Sequence, residues 1–76
     1  MNGYWFYIVE HGFPSNDEVT EKTIFEAHEI SLLTALNCMS DFVKRHPDGH
    51  LNTEFDFIEY ETEDKKLSAF IEYEED

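Results

Sequence analysis

Residues Thr53–Asp76 read TEFDFIEYETEDKKLSAFIEYEED. Two runs in this stretch, 53–62 and 66–73, are rich in aromatic and β-branched residues, and a short charged segment separates them. This pattern predicts two strands paired as an antiparallel hairpin. The same stretch holds ten of the eighteen carboxylates of the chain, opposed only by two lysines at the turn. It therefore combines a structural unit with a concentration of negative charge.

Turn residues set the register of a hairpin, and we place Asp64 and Lys65 at its centre. This register sets Phe57 opposite Glu72, Ile58 opposite Ile71, Glu59 opposite Phe70, Tyr60 opposite Ala69, Glu61 opposite Ser68, Glu63 opposite Lys66, and Phe55 opposite Glu74. One face then carries Ile58, Tyr60, Leu67, Ala69, Ile71 and Tyr73. The other carries Glu59, Glu61, Glu72 and Glu74, interspersed with Phe55, Phe57 and Phe70.

In the first hairpin strand, the apolar residues of the alternating pattern switch from one side to the other between Phe57 and Ile58. A one-residue slip exchanges the two faces of a strand, so a β-bulge at this point is an alternative. With a bulge, Phe55 and Phe57 would belong to the core and not to a binding face.

The N-terminal third of the chain predicts two more strands. Residues 4–10 are apolar on both faces up to Val9, with Tyr4, Phe6 and Ile8 on one side and Trp5, Tyr7 and Val9 on the other, which favours an interior position in a sheet. Residues 19–28 have mixed faces, which suit an edge strand. Simple alternation places Thr23, Phe25 and Ala27 on one side and Lys22, Ile24, Glu26 and His28 on the other.

One helix is predicted over residues 32–46, with Ser31 as N-cap and Pro47-Asp48-Gly49 as the stop signal. An apolar stripe at three- and four-residue spacing is expected to cover the sheet; it comprises Leu32, Ala35, Leu36, Met39, Phe42, Val43 and His46. We therefore expect one α+β domain over residues 1–76, with the order β-β-α-β-β. A four-stranded, mainly antiparallel sheet carries the helix on one face, and its other face is left uncovered.

Negative charge is the strongest signal in the composition. The formal net charge is −13, whereas a magnitude of about 2 to 8 keeps a small domain soluble. A hydrophobic content of 41% with 16% aromatic residues argues against disorder. Direct nucleic-acid binding is not expected, because DNA carries one negative charge per ~1.7 Å of axis and its ligands need Lys and Arg. The expected partner is a basic protein.

The sequence also suggests a compartment. The single cysteine, Cys38, excludes an internal disulfide and is typical of a reducing cytosol. The apolar run near the N-terminus has no positively charged region before it and no small-residue cleavage site, and it is too short to span a bilayer. We expect a cytoplasmic protein that binds no membrane.

No motif predicts catalysis, a metal or a cofactor. His46 and His50 have a metal-like spacing, but a zinc site of the finger type needs further ligands, usually a cysteine pair. The pair His28-Glu29 resembles the start of a zinc-protease helix, yet position 32 is Leu where that motif needs a second His. Paired carboxylates are uninformative among eighteen, so we expect a protein that is not an enzyme.

These observations favour a small inhibitor or binding protein that occupies a basic, nucleic-acid-binding surface of another protein, such as a nuclease complex, by mimicking nucleic acid. The expected contact residues are Glu54, Phe55, Asp56, Phe57, Glu59, Glu61, Phe70, Glu72 and Glu74. In size and charge alone, the chain resembles phage-encoded inhibitors of host defence, such as anti-CRISPR and DNA-mimic antirestriction proteins. That resemblance implies action in the cytoplasm of a host cell, and it assigns no residue a role.

Two alternatives belong to other functional classes. An immunity protein or antitoxin that neutralises a basic nuclease would have the same charge. A structural homodimer would pair the uncovered face of the sheet with itself.

Overall fold

The structure, a computed structural model, describes residues 3–12, 20–54 and 57–74. Its elements in chain order are β1 (Gly3–Gly12), β2 (Thr20–Ile30), α1 (Leu32–Arg45), β3 (His50–Thr53), β4 (Phe57–Glu61) and β5 (Leu67–Glu74). The strands form one antiparallel sheet in the order β2-β1-β5-β4-β3, and α1 packs on one of its faces. The α+β class with a single helix agrees with the prediction.

The sheet has five strands, and the prediction of four was wrong. The segment predicted to be one strand over 53–62 belongs to two, because β3 pairs antiparallel with β4 and the Glu54 N–H donates to the Phe57 carbonyl (2.9 Å). All four residues of β3 are exposed, and Leu51 is its only apolar residue. Without an apolar alternation, β3 lacked the signal by which strands are recognised in a sequence.

The first and last strands of the described chain pair inside the sheet. β1 pairs with β5, from Gly3 opposite Glu74 to Glu10 opposite Leu67. The chain crosses one face of the sheet through α1, reaches the far edge at β3 and returns through β4 to β5. β1 is therefore an interior strand and β2 an edge strand, as predicted.

The predicted hairpin register is confirmed over the whole of β4. Phe57 lies opposite Glu72, Ile58 opposite Ile71, Glu59 opposite Phe70, Tyr60 opposite Ala69, and Glu61 opposite Ser68. The ladder shows no shift between Phe57 and Ile58, so the alternative with a bulge there is wrong. Phe55 and Asp56 lie outside the described residues, and so does the predicted pairing of Phe55.

β2 contains two irregularities that alternation did not predict. Ile8 faces Phe25 while Val9 faces Thr23, so Ile24 is an extra residue in β2. A second shift lies near Glu29, whose φ of 56° is left-handed. Because a bulge exchanges the faces beyond it, the predicted sides of Lys22 and Thr23 were wrong. Lys22 lies opposite Glu10 on the helix side, and Thr23 lies opposite Val9 on the other side.

The core lies between α1 and the sheet beneath it, mainly β1 and β5, with one ring from β4. It is built from Phe6, Ala35, Met39, Phe42, Tyr60, Ala69 and Ile71. Ser31 caps α1 as predicted, since its hydroxyl accepts from the Thr34 N–H (3.1 Å). The predicted apolar stripe is only partly covered, because Leu32 and Leu36 remain 42% and 41% exposed.

In the part of the chain that the structure describes, no helix has the length and apolar character needed to cross a bilayer.

Candidate interaction surface on the open face of the sheet

We use the term open face for the side of the sheet opposite α1. Cross-strand partners point to the same side of a sheet. The strand pairings therefore show which residues belong to the open face. They are Trp5, Tyr7, Val9 and His11 from β1, Glu21, Thr23, Glu26 and His28 from β2, His50 and Asn52 from β3, Phe57, Glu59 and Glu61 from β4, and Ser68, Phe70, Glu72 and Glu74 from β5. Three strands thus contribute Phe, Tyr or Trp side chains and three contribute glutamates.

An aromatic row crosses the middle of this face. The ring of Trp5 stacks on His28 (centroids 5.0 Å apart) and on Tyr7 (4.1 Å), and Tyr7 in turn stacks on Phe70 (4.8 Å). The planes of successive rings differ by 17°, 29° and 14°, so the four rings form one continuous stack. Stacked rings lose little entropy on binding, so the row is a rigid apolar strip.

Glutamates lie on both sides of the aromatic row. Across the strands from β4 to β2, Glu59 faces Phe70, Phe70 faces Tyr7, and Tyr7 faces Glu26. The Cα atoms of the two glutamates are about 14 Å apart by strand spacing. An aromatic pair therefore has a carboxylate at each end.

Tyr7 is tied to the carboxylate of Glu72 by a hydrogen bond that its hydroxyl donates. Burial raises the pKa of Tyr7 well above its ordinary value, and the bond to Glu72 and the nearby charges of Glu59 and Glu21 raise it further. The phenol therefore stays protonated at neutral pH, so it continues to donate to Glu72.

His28 closes the row at the β2 edge and contacts two carboxylates. Its Nδ1 lies 3.1 Å from Glu74 Oε2 and its Nε2 lies 3.7 Å from Glu26 Oε2. The hydrogen bond to Glu74 is the main cause that raises the pKa of His28, and the same bond lowers the pKa of Glu74. The Glu29 backbone N–H also donates to Glu74 (3.1 Å). The Glu74 carboxylate is thus already hydrogen-bonded within the protein.

Glu59 and Glu61 differ from these engaged carboxylates, since neither has a hydrogen bond or an ion pair with another described side chain. None of the five Lys and Arg residues projects from a strand onto the open face: Lys22 lies on the helix side, Lys44 and Arg45 on α1, and Lys65 and Lys66 in the β4–β5 turn. Six glutamates thus share a face without a permanent positive charge.

The structure brings most of the predicted contact residues together. Glu59, Glu61, Phe70, Glu72 and Glu74 all belong to the open face. The pairing of Phe57 with Glu72 assigns Phe57 to the open face, but Phe57 also lines a cavity on the helix side together with Glu54. Glu54 therefore lies away from the other predicted contacts, while Phe55 and Asp56 lie outside the described residues.

Sequence reasoning did not include the β1 and β2 side chains in this surface: Trp5, Tyr7, Glu21, Glu26 and His28. Alternation in β1 did place Trp5 and Tyr7 on a common side. The missing information was the pairing of β1 with β5, which joins that side to the glutamates of the hairpin. Strand pairing between distant segments has no local signal in one sequence.

A separate cavity of about 510 Å³ lies between the end of α1 and the β4–β5 turn, lined by 46–49 and 62–64. Of the three carboxyl groups in its lining, that of Asp64 accepts hydrogen bonds from the Thr62 hydroxyl (2.6 Å) and the Lys66 N–H (3.0 Å). These bonds lower the pKa of Asp64. The change is opposite to the one a general acid needs at neutral pH, so this carboxyl group is explained by its role in the turn.

Comparisons of this chain with known protein families, with curated proteins and with solved structures found no match.

Proposed function

We propose that this protein is a non-enzymatic binding protein whose open face occupies a basic, nucleic-acid-binding surface on another protein. The observation that carries the proposal is the combination of six glutamates with a rigid aromatic row on a face without Lys or Arg. Bound there, the protein would keep nucleic acid from the same surface.

The charge on this face supports a basic partner because it is held in place. Successive glutamates on one side of a strand are about 6.6 Å apart, as for Glu59 and Glu61 on β4 and for Glu72 and Glu74 on β5. A fixed line of negative charge can take the place of a phosphate backbone opposite Lys and Arg. It also accelerates encounter with a positive surface, an effect that salt screens.

The aromatic row supplies binding affinity that charge alone does not provide. Exposed ion pairs contribute little affinity, whereas buried aromatic anchors commonly dominate protein interfaces. Trp5, Tyr7 and Phe70 are half-buried and stacked, so ordering them against a partner costs little further entropy. We assign them the anchor role and assign Glu59 and Glu61 the first contacts with basic side chains.

The finer proposal concerns the biological setting. The compositional resemblance to phage inhibitors of host defence supports a nuclease or a nucleic-acid-binding complex of antiviral defence as the partner, met in the cytoplasm of the host cell. The mode of action would be steric occlusion, which needs no catalytic residue and no cofactor.

The test is affinity capture from a host lysate, with duplex DNA added as a competitor. We expect the wild-type protein to retain a basic protein that DNA releases. A variant with Glu59, Glu61 and Glu72 changed to Gln should lose this partner by more than about tenfold, because three carboxylates leave the centre of the surface.

The matched control changes three carboxylates away from the open face, Glu10→Gln, Asp41→Asn and Glu63→Gln, and so has the same net charge. It should capture the partner as the wild type does. Equal losses in both variants would attribute binding to net charge alone, and full retention by the open-face variant would refute the proposed surface.

A further inference from the structure

The helix side of the sheet has an apolar area that α1 does not cover. The helix packs mainly on β1 and β5, so β3 and the part of β4 away from Tyr60 extend beyond it. A cavity of about 340 Å³ lies here, which we call the flank groove, lined by Tyr4, Leu32, Glu54, Phe57, Ile58, Ile71 and Tyr73. Leu33, at 69% exposed, and Leu51 on β3, at 53%, are among the most exposed large apolar side chains of the described residues.

The charges around the flank groove differ from those of the open face. The helix and its two caps, residues 31–46, contain one acidic residue, Asp41, and two basic residues, Lys44 and Arg45. A second copy of the chain carries the same net charge of −13, so two copies can approach only where this charge is weakest. Pairing of the open face with itself would set six glutamates against six, which like-charge repulsion disfavours.

The helix also has charge complementarity to a second copy. Positions 33, 36, 40 and 44 lie in one row along the helix, with two exposed leucines at its start and Lys44 at its end. Glu54 lies near the start of the helix, since it lines the flank groove together with Leu32. In an antiparallel arrangement of two copies, Lys44 of each comes to the end of the helix where the other has Glu54.

We propose that two copies of this chain associate about a twofold axis through the flank groove and the adjacent helix row, with antiparallel helices. Leu33 and Leu36 of each copy cover the apolar groove of the other, and Lys44 of each pairs with Glu54 of the other. The two open faces then point away from the interface, so the dimer presents two separate acidic surfaces. This arrangement does not depend on what the open face binds.

The first test is the mass in solution, measured by sedimentation equilibrium in the micromolar range in roughly 0.15 M salt, where the Debye length is about 8 Å. We expect a wild-type dimer of twice the chain mass of 9.0 kDa. Leu33→Glu should weaken association at least about tenfold, because it places a charge in an apolar contact. The side chain is exposed, so circular dichroism should show an unchanged fold.

The matched control is Ile24→Glu, which makes the same change at a side chain that is 47% exposed on β2, the edge opposite β3. It should dimerise as the wild type does. A wild-type protein that stays monomeric throughout, or a Leu33→Glu variant that dimerises normally, would overturn the proposal.

A charge exchange tests the antiparallel arrangement. Lys44→Glu and Glu54→Lys should each weaken self-association, because both contacts of either homodimer then join like charges. An equimolar mixture of the two variants should recover dimerisation to near the wild-type level, since both contacts of the mixed dimer join opposite charges. A mixture that associates no better than the separate variants would refute the pairing of Lys44 with Glu54.

Discussion

The hydroxyl of Tyr60 joins the end of α1 to the strand that returns beneath it. It donates to the carbonyl of His46 and accepts from the Gly49 N–H (2.8 Å). The ring is buried and lies edge-on to Phe42, with centroids 6.0 Å apart. One residue therefore satisfies the C-cap carbonyl, which has no intrahelical partner, and a backbone N–H of the turn that follows the helix. Alternation predicted that Tyr60 faces the core, but not which groups its hydroxyl would meet.

We predict that Gly49→Ala destabilises the fold by about 1–3 kcal/mol, a range typical of overpacked sites. A Cβ at position 49 would lie 2.5 Å from ring atoms of Tyr60 and 2.5 Å from the Glu61 carbonyl oxygen. The φ of this glycine is not positive, so the expected cost is steric and does not come from backbone strain. Chemical denaturation measures it.

The control for this substitution is Asp48→Ala in the same exposed turn, which should change the free energy of unfolding by less than about 0.5 kcal/mol. If Gly49→Ala were as stable as this control, the close approach of Tyr60 to the turn would be wrong.

Among the elements, the β4–β5 hairpin has its own local supports. The Thr62 N–H donates to the Leu67 carbonyl (3.0 Å) and closes the turn, while Lys65 takes a left-handed φ of 61°. Asp64 accepts from the Thr62 hydroxyl and from the Lys66 N–H within the same turn. Because these contacts join residues close in sequence, the register of the hairpin could be predicted from its turn alone.

We predict that the stability advantage of the wild type over Asp64→Asn disappears in acid. The pKa of Asp64 is lowered in the folded state, first by the Thr62 hydrogen bond and then by the Lys66 N–H. A lowered folded pKa contributes stability that is present above the unfolded value and is lost as pH falls through the folded value. The difference in melting temperature between the two proteins should thus be constant above about pH 5 and shrink below it.

Comparison with this variant removes the effect of the other carboxylates, which titrate in both proteins. A difference in melting temperature that stays constant down to the acid unfolding transition would show that the carboxylate of Asp64 does not stabilise the turn.

For the whole molecule, the distribution of charge matters more than its total. The open face collects six glutamates from three strands, while the cations lie on α1, on the helix side of β2 and in the β4–β5 turn. The ion pairs among the described residues all involve histidine. A net charge of −13 is therefore largely uncompensated by ion pairs with Lys or Arg in this part of the chain, and the folded state repels itself.

We predict that added salt stabilises the wild-type protein. Screening of this repulsion between about 20 mM and 300 mM NaCl should raise the melting temperature by on the order of 4 °C, equivalent to about 1 kcal/mol. The variant with Glu59, Glu61 and Glu72 changed to Gln carries three fewer negative charges on one face, so its rise should be smaller. Calorimetry at several salt concentrations measures both.

If the melting temperature of the wild type fell with salt, attractive pairs would dominate over repulsion, and the open face would not be the uncompensated surface described above.

Local sequence determined the elements that depend on near neighbours. The Ser31 cap and the 3.6-residue apolar period specified α1, and the turn at Asp64 and Lys65 specified how β4 pairs with β5. These features need only contacts between residues close along the chain, so propensity and spacing predict them.

Tertiary structure alone decided how distant segments meet. The pairing of β1 with β5 joins Trp5 and Tyr7 to the hairpin glutamates, and the bulge at Ile24 moves Lys22 off the open face. The position of α1 over β1 and β5 leaves the flank groove uncovered. Such long-range pairings are selected by packing of the whole core and not by local propensity. Local contacts therefore specify an acidic two-faced hairpin, and long-range pairing makes it part of a continuous acidic and aromatic surface.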